Sequence, residues 1–345
     1  MAGPKSPSGP FRLVPAAVVR DVGTAVHVDL GGRTMRFTSH LMAVREVLER
    51  MECDGDGLQP NSRVQSQITE VLADRGIVTQ EAPSTSAAPE ARQLGYLSLF
   101  GPNPKAQQEA ISRAKVGILG VGGVGGVVAQ HLVGAGVRNL TLVDHDVVEL
   151  SNLNRQFLLR HTDRGRPKID VVRDSLHGLR DGLSIDCHRV AVGCGADLPF
   201  DNSMDLLVLA ADRPTDIETV CWAWCEGAGV PMTTAGIGLD SGYWGPTLVP
   251  GSGCLDCWME SRAALLTAEQ AESFSTRLDP TPWSFGPSNT VVSALLAHEC
   301  IKFLATGDTS TMNTRHFIAF DRLAITSISS APTSACSAHA GKGVS

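Results

Sequence analysis

The chain has 345 residues, which is long enough for two or three domains with a sizeable core. Its 29 lysines and arginines against 36 aspartates and glutamates give a formal net charge of −7. That balance argues against a nucleic-acid partner, because such surfaces carry a clustered excess of positive charge. A content of 43% hydrophobic and 19% charged residues is typical of a folded globular protein and excludes a disordered chain.

Nine cysteines are too few for a disulfide scaffold in a chain of this length. The N-terminal segment MAGPKSPSGP has no apolar stretch after its lysine, so we predict no secretory signal. A continuous run of about 20 apolar residues is also missing, so we predict no transmembrane helix. We therefore expect a cytoplasmic protein that does not bind a membrane.

Composition divides the chain into four segments. The stretch APSTSAAPE (82–90) is small, polar and rich in proline, which indicates a flexible linker. We predict a small domain over 1–81, a linker over 82–91, a larger domain over 92–330 and a low-complexity tail over 331–345.

The first domain begins with a predicted strand over 15–21. Two runs of alternating apolar residues within 25–39 flank Gly31-Gly32, which indicates a β-hairpin. Apolar residues at helical spacing then predict helices over 41–51 and 63–76. This order suggests a winged-helix-like module. It could be a simple packing domain or a peptide clamp, because the edge of a hairpin can accept an extended peptide as an added strand.

Strands and helices alternate in the larger domain. An alternating series of this kind predicts an α/β fold with a Rossmann-like, doubly wound and mostly parallel sheet. After Gly236 the pattern changes, and we expect antiparallel C-terminal strands on either side of a long helix. The predicted strands are 114–120, 139–144, 184–192, 204–212, 230–236, 243–249 and 316–326, and the predicted helices are 127–136, 168–179, 216–229 and 288–305.

A glycine-rich turn follows the first of these strands. It contains Gly120, Gly122, Gly123 and Gly125, and glycines there permit a tight turn and let backbone N–H groups approach phosphate. Asp144 ends the next strand, where a carboxylate can accept hydrogen bonds from ribose hydroxyls. The combination predicts a nucleotide site and leaves NAD, FAD and ATP open.

Two cations favour ATP among these nucleotides. Arg155 and Lys168 lie just beyond the ribose site in sequence, and two cations suit a triphosphate and its departing pyrophosphate. Asp212 ends an apolar strand at the edge where ligands bind, and its carboxylate could hold Mg²⁺. An NAD-linked oxidoreductase remains a rival, although we find no acid/base residue for hydride transfer.

The order of these motifs resembles the ThiF/MoeB family, which shares its fold with the ubiquitin-activating enzymes. The motifs are GVGGVG (120–125), Asp144-x-Asp146, NLNRQ (152–156), Lys168 and Asp212. The resemblance implies adenylation of the C-terminal carboxylate of a peptide or small protein. The segments 95–104, 210–214, 245–257 and 285–303 are similar to the microcin C (MccB) branch of the family, in which an N-terminal domain clamps a substrate peptide.

The resemblance also implies a role for each matching residue, with ATP, Mg²⁺ and structural Zn²⁺ as cofactors. Asp144 and Asp146 would lie at the ribose side, and Asp212 would hold Mg²⁺. The phosphates would be contacted by Asn152, Arg155 and Lys168, with Gln156 nearby. The family forms homodimers in which an arginine before the first strand reaches the partner subunit's ATP, and Arg92 is the nearest match.

Cysteine spacing predicts a zinc site. We place Cys254-x-x-Cys257 in a glycine-rich loop and Cys336-x-x-His339 in the tail. These two chelating pairs suit tetrahedral zinc with no open position, so the metal would be structural. The family uses two CxxC pairs, and this chain has His339 in the last position. No cysteine lies between Arg262 and Asn289, so we expect no enzyme thioester.

The expected activity is therefore ATP-dependent adenylation of a ribosomally made peptide during natural-product biosynthesis. One alternative is a sulfur-carrier-protein adenylyltransferase, although such an enzyme would have little use for the N-terminal domain. Another is a non-catalytic partner that presents a leader peptide to a different enzyme.

Overall fold

The computed structural model describes residues 10–14, 16–52, 57–80, 89–193, 198–265 and 283–330. The chain divides into two compact units, Met1–Ile111 and Ser112–Ser345. Most of the predicted linker and all of the predicted tail lie outside the described residues. No helix in the described part is long and apolar enough to cross a membrane.

The first unit contains a three-stranded antiparallel sheet followed by helices α1 and α2, which matches the predicted strand, hairpin and two helices. Gly31 and Gly32 form the hairpin turn with φ of 51° and 78°, a conformation that favours glycine. Strand β3 and helix α1 bury their apolar faces in one core. The elements are β1 Arg12–Leu13, β2 Val18–Asp21, β3 Val26–Leu30, β4 Arg33–Phe37, α1 Leu41–Arg50, α2 Arg63–Asp74, β5 Val78–Thr79, α3 Ala91–Leu97 and α4 Pro104–Arg113.

Strand β3 lies between β2 and β4, so both outer strands have one side that is not paired within this sheet. Helix α2 begins at a capping residue, because the Ser62 hydroxyl accepts a hydrogen bond from the Gln65 N–H at 3.2 Å. The short strands β1 and β5 pair with each other, which brings the segment before β2 next to the segment after α2. The predicted hairpin and helices are thus confirmed.

The second unit is built on one eight-stranded sheet, with the strand order β13-β12-β11-β10-β9-β6-β7-β8. Strands β6 to β10 run parallel, and β11 to β13 continue the sheet antiparallel, which confirms the predicted fold class. The strands are β6 Lys115–Leu119, β7 Asn139–Val143, β8 Ser184–His188, β9 Leu206–Leu209, β10 Met232–Ile237, β11 Ser241–Leu248, β12 Thr314–Ala319 and β13 Ala324–Ser329. The helices are α5 Gly125–Ala135, α6 Lys168–His177, α7 Ile217–Ala228, α8 Leu255–Leu265 and α9 Gly286–Thr306.

The order of the parallel strands reverses between β6 and β9. Beyond β6 the chain continues outward to β7 and β8, whereas β9 and β10 lie on the other side of it. At such a switch point the loops after the two central strands diverge and leave a crevice at their carboxyl ends. The topology therefore places the ligand site after Leu119 and after Leu209.

Two local predictions were wrong. The segment 316–326 is not one strand, because the chain reverses between β12 and β13 with Leu323 in the left-handed region at φ 50°. Cys257 does not lie in a loop, because α8 begins at Leu255 and carries it. The apolar residues of α8 do not recur on a single face, so periodicity gave no signal for this helix.

Candidate nucleotide site

A cleft of about 860 Å³ opens at the predicted edge of the sheet. Its lining comes from the segments that follow β6, β7 and β9, from β10 and β11, and from the start of α9. These lining residues include Gly120, Gly122, Gly123, Asp144, His145, Asp146, Arg155, Gln156, Lys168, Asp212, Gly236, Tyr243, Trp283 and Asn289. The structure thus brings most of the predicted site residues together around one opening.

The glycines of the turn after β6 have two different structural roles. Gly120 has φ 86°, and a Cβ there would lie 2.8 Å from the Ala210 carbonyl oxygen. A Cβ on Gly125 would collide with the Gly120 carbonyl oxygen, so these two glycines let the backbone pack closely. Gly122 and Gly123 line the cleft, and they leave the N-terminal end of α5 open to an anion.

Asp144 is held in one orientation by the backbone. Its Oδ2 accepts a hydrogen bond from the Val121 N–H at 2.9 Å, and its Oδ1 accepts one from the Asp146 N–H at 2.8 Å. These bonds tie the end of β7 to the glycine turn. Each carboxylate oxygen has a second lone pair that can accept a hydrogen bond from a sugar hydroxyl.

Lys168 and Asp146 form an ion pair inside the cleft. The Lys168 Nζ lies 2.7 Å from the Asp146 Oδ2, and the lysine side chain is only 8% exposed while the aspartate is 49% exposed. Burial raises the pKa of Asp146, but the hydrogen bond and charge of Lys168, with a smaller effect of His145, lower that pKa overall. The ion pair with Asp146 therefore holds the Lys168 ammonium group inside the cleft.

Arg155 and Gln156 lie on the loop that follows the β7 segment. The Arg155 Nη1 donates to the Ser151 carbonyl and to the Asn154 Oδ1, both at 2.9 Å, which holds its guanidinium group beside the glycine turn. Gln156 is buried, and its Oε1 has no hydrogen-bond partner among the described residues. A buried amide oxygen without a partner is costly, so this atom is available to a ligand donor.

Asn152 does not appear among the described residues that line the cleft. Its side-chain oxygen accepts a hydrogen bond from the Glu149 N–H at 3.0 Å. Its carbonyl oxygen accepts from the N–H groups of Arg155 and Gln156. In this conformation Asn152 shapes the loop that carries these two residues.

Asp212 follows β9 and lines the cleft with an exposed side chain. Carboxylate oxygens are hard donors that suit Mg²⁺, and the ligand atoms of Asp144, His145 and Asp146 lie within 4.8 Å of one another in the same cleft. The donor chemistry therefore fits a magnesium ion bound with a nucleotide. Arg92 is exposed on α3 in the first unit and is not among the described residues that line the cleft.

Several residues of the cleft were missed by the sequence reasoning, and two of them, Asn289 and Tyr243, make well-defined contacts. The Asn289 Nδ2 donates to the Ser284 Oγ at 2.9 Å and to the Phe285 carbonyl at 2.8 Å. Its Oδ1 faces the glycine turn, 2.5 Å from the position a Cβ would take on Gly123. An asparagine at the start of a helix, within the motif FGPSN, is the signal that could have identified it.

Tyr243 is the second missed residue, and it is held from behind by a buried arginine. The Arg315 guanidinium lies 4.3 Å from the centre of the Tyr243 ring and 3.8 Å from that of Trp258. It also forms an ion pair with Glu218 at 2.6 Å and donates to the Gly245 carbonyl at 2.7 Å. Burial raises the pKa of Tyr243, which keeps its hydroxyl protonated at neutral pH.

Only half of the predicted zinc site lies in the described part of the chain. Cys254 and Cys257 are both buried and form a small cluster of their own, whereas Cys336 and His339 lie outside the described residues. Burial raises the pKa of Cys300 above its usual range and that of Cys221 to about 12, so neither is poised as a thiolate nucleophile.

Comparisons with known proteins show the family to which this chain belongs. The model of the ThiF family matches residues 91–338. A molybdopterin-synthase adenylyltransferase of Escherichia coli is 32% identical over 199 residues, which is 57% of this chain and 76% of that protein. A sulfur carrier protein adenylyltransferase of Thermus thermophilus is 38% identical over 106 residues, or 31% of this chain and 39% of that protein.

A solved structure resembles nearly the whole chain. The complex of Escherichia coli MccB with MccA-N7isoAsn has a TM-score of 0.75 at 23% identity and covers 95% of this chain and 99% of that one. This likeness includes the first unit, which lies largely outside the family match. At this identity the likeness establishes a shared fold.

Proposed function

The chain is an ATP-dependent adenylyltransferase of the ThiF family, and we propose that it activates the C-terminal carboxylate of a ribosomally made peptide during natural-product biosynthesis. One observation carries the choice of substrate. The family match begins at residue 91, yet the fold likeness to MccB extends over the preceding domain, which we assign to residues 1–81. An enzyme that recognises only a small carrier protein has no evident need for that domain.

The residues of the cleft support an in-line attack of the peptide carboxylate on the α-phosphate of ATP. The P–O bond to the β-phosphate breaks, and pyrophosphate leaves with its pair of electrons. Arg155 and Lys168 would stabilise the negative charge that develops on the departing group. Asp212 would hold Mg²⁺, which neutralises phosphate charge when bound. No protein nucleophile is required, because positioning and charge stabilisation suffice.

The sheet of the first unit offers a means of holding the peptide. Strands β2 and β4 are the outer strands, and each presents one side that is unpaired within the sheet. An extended peptide could join either edge by main-chain hydrogen bonds. We further propose a homodimer in which Arg92, exposed on α3, reaches the ATP of the other copy.

Peptide-dependent exchange of labelled pyrophosphate into ATP tests the proposal. We expect exchange with candidate peptides that end in a free carboxylate and none with the same peptides ending in an amide. A carrier protein ending in Gly-Gly is the matched alternative, and the names of the curated relatives favour it. Exchange with that carrier alone would overturn the peptide proposal, and tight peptide binding without any exchange would indicate a non-catalytic presenting partner.

We also propose that Cys254 and Cys257 provide two ligands of a structural zinc ion that Cys336 and His339 complete. We expect one zinc per purified chain by elemental analysis, and a loss of at least half of that zinc in Cys254→Ser. The Cys300→Ser variant is the matched control, because that thiol lies on α9 and should not affect the metal content. Wild-type protein without zinc would contradict the assignment.

A further inference from the structure

A second cavity lies wholly within the first unit. It is a groove of about 580 Å³ between helix α2 and the segment 99–102, with the aromatic ring of Phe11 at one side. This volume is within the range of ligand pockets in proteins. We call it the α2 groove. Its described lining consists of Phe11, Pro60, Ser66, Thr69, Glu70, Ala73, Asp74, Leu99, Phe100, Gly101 and Pro102.

The charges of the α2 groove have one sign. Glu70 and Asp74 are exposed, stand one helical turn apart on α2 and line the same opening, whereas no lysine or arginine belongs to the described lining. Like charges at this spacing destabilise a helix slightly. Neither carboxylate forms a salt bridge within the described part of the chain. The groove therefore presents two unneutralised negative charges to whatever enters it.

A buried hydroxyl points to a ligand independently of these charges. Thr69, next to Glu70 on α2, also lines the groove. It is only 3% exposed, and its Oγ1 has no hydrogen-bond partner among the described residues. A helical threonine commonly bonds to the carbonyl four residues earlier, and this one does not. A nearly buried hydroxyl without a protein partner is uncommon unless a ligand or an ordered water supplies one.

The segment 99–102, which forms one wall of the α2 groove, is held in place by close packing and a hydrogen bond. A Cβ on Gly76, which has φ 67°, would lie 2.7 Å from the Leu99 Cα, so the end of α2 packs directly against the segment 99–102. The Gln80 N–H also donates to the Pro102 carbonyl at 3.1 Å. The opening is therefore a preformed feature of this unit, with Phe11 and Phe100 as its aromatic surfaces.

We propose that the α2 groove binds a lysine or arginine side chain of the substrate peptide. The cationic head would donate hydrogen bonds to the carboxylates of Glu70 and Asp74 and to the Thr69 hydroxyl. Its aliphatic stem would lie against Phe11 and Phe100, which suits the apolar body of a long basic side chain. This inference rests on the proposed peptide substrate and adds to it a requirement for a basic residue.

Selection from a displayed library of random 12-residue peptides tests the inference, with the full-length chain as the target and no nucleotide present. We expect a lysine or arginine at a fixed position in the enriched sequences. Replacing that residue by norleucine, which keeps the stem and removes the charge, should weaken binding by about tenfold or more, because a hydrogen-bonded ion contributes at least that much. Selection of peptides without a basic preference, or of none, would overturn the inference.

Matched variants test whether the preference for basic peptides arises in the α2 groove. In the double variant Glu70→Gln/Asp74→Asn we expect the preference for basic peptides to disappear. Glu49→Gln/Glu52→Gln makes the same change of charge on exposed residues of α1 and just beyond it, and it should leave the preference intact. Equal losses in both double variants would refute a specific groove.

Thr69→Val preserves the shape of the buried residue and removes its hydroxyl, so it should weaken binding about threefold to tenfold. Unchanged affinity in this variant would exclude the hydroxyl from the site. Because binding is measured without ATP, a failure of the adenylation proposal would appear separately, as absent pyrophosphate exchange with every carboxylate-bearing peptide.

Discussion

Asp212→Asn is expected to reduce peptide-dependent pyrophosphate exchange by about 10³-fold, while peptide binding stays at the wild-type level. The carboxylate lines the cleft after β9, at the switch point of the sheet, and the amide that replaces it is a much poorer ligand for Mg²⁺. Exchange kinetics at saturating ATP and a binding measurement with the same peptide separate the two effects. Full exchange activity in this variant would remove the metal-binding role from Asp212.

Asp216→Asn is the matched control for that experiment. Asp216 precedes α7, is exposed, and its side chain makes no capping hydrogen bond with the helix. It lies only four residues from Asp212 but is not among the described residues that line the cleft. We expect this control to exchange pyrophosphate at close to the wild-type rate.

Lys168→Met is expected to lower exchange by about 10²-fold to 10³-fold, chiefly through the transition state for pyrophosphate departure. The methionine fills a similar volume, so the buried position is retained, but the ammonium group beside Asp146 is lost. Steady-state exchange at several ATP concentrations gives the change in kcat and in KM for ATP. A rate within a few-fold of wild type would show that this cation does not act on the phosphates.

Two further variants separate a direct role of Lys168 from a structural one. Lys115→Met removes a lysine at the opposite end of the parallel sheet, where the Nζ donates to the Ser203 Oγ at 2.7 Å, and it should leave exchange unchanged. If Lys168 acted only by holding Asp146, Asp146→Asn would lose as much activity as Lys168→Met. A much smaller loss in Asp146→Asn is the result we expect.

The parts of the structure that follow from local patterns could be predicted from the sequence. The hairpin around Gly31-Gly32 and the capped helix α2 are specified by neighbouring residues. The alternating strands and helices also restrict the sheet topology, because parallel strands need crossovers. Since the carboxyl ends of parallel strands share one edge, residues such as Gly122, Asp144 and Asp212 could be expected around one cleft, and the structure places them there.

The parts of the structure that depend on contacts between distant residues could not be predicted from the sequence. Asn289 and Tyr243 reach the cleft from α9 and β11, and only the packing of the folded unit brings them near the glycine turn. Helix α8 has no single apolar face, so its packing rather than its periodicity decides its structure. The turn that separates β12 from β13 depends on Leu323, a residue type that rarely adopts a positive φ.

Arg315 has a consequence for how the cleft discriminates among ligands. Its guanidinium group touches the rings of Tyr243 and Trp258 and is bonded to Glu218, so β11, α8, α7 and β12 meet at one buried charge. The Tyr243 side of the cleft was therefore ordered when the chain folded. A molecule that binds there contacts side chains that are already in place, so ordering these side chains adds little entropic cost to binding. This side of the cleft therefore selects ligands by steric fit rather than by adaptation of the protein.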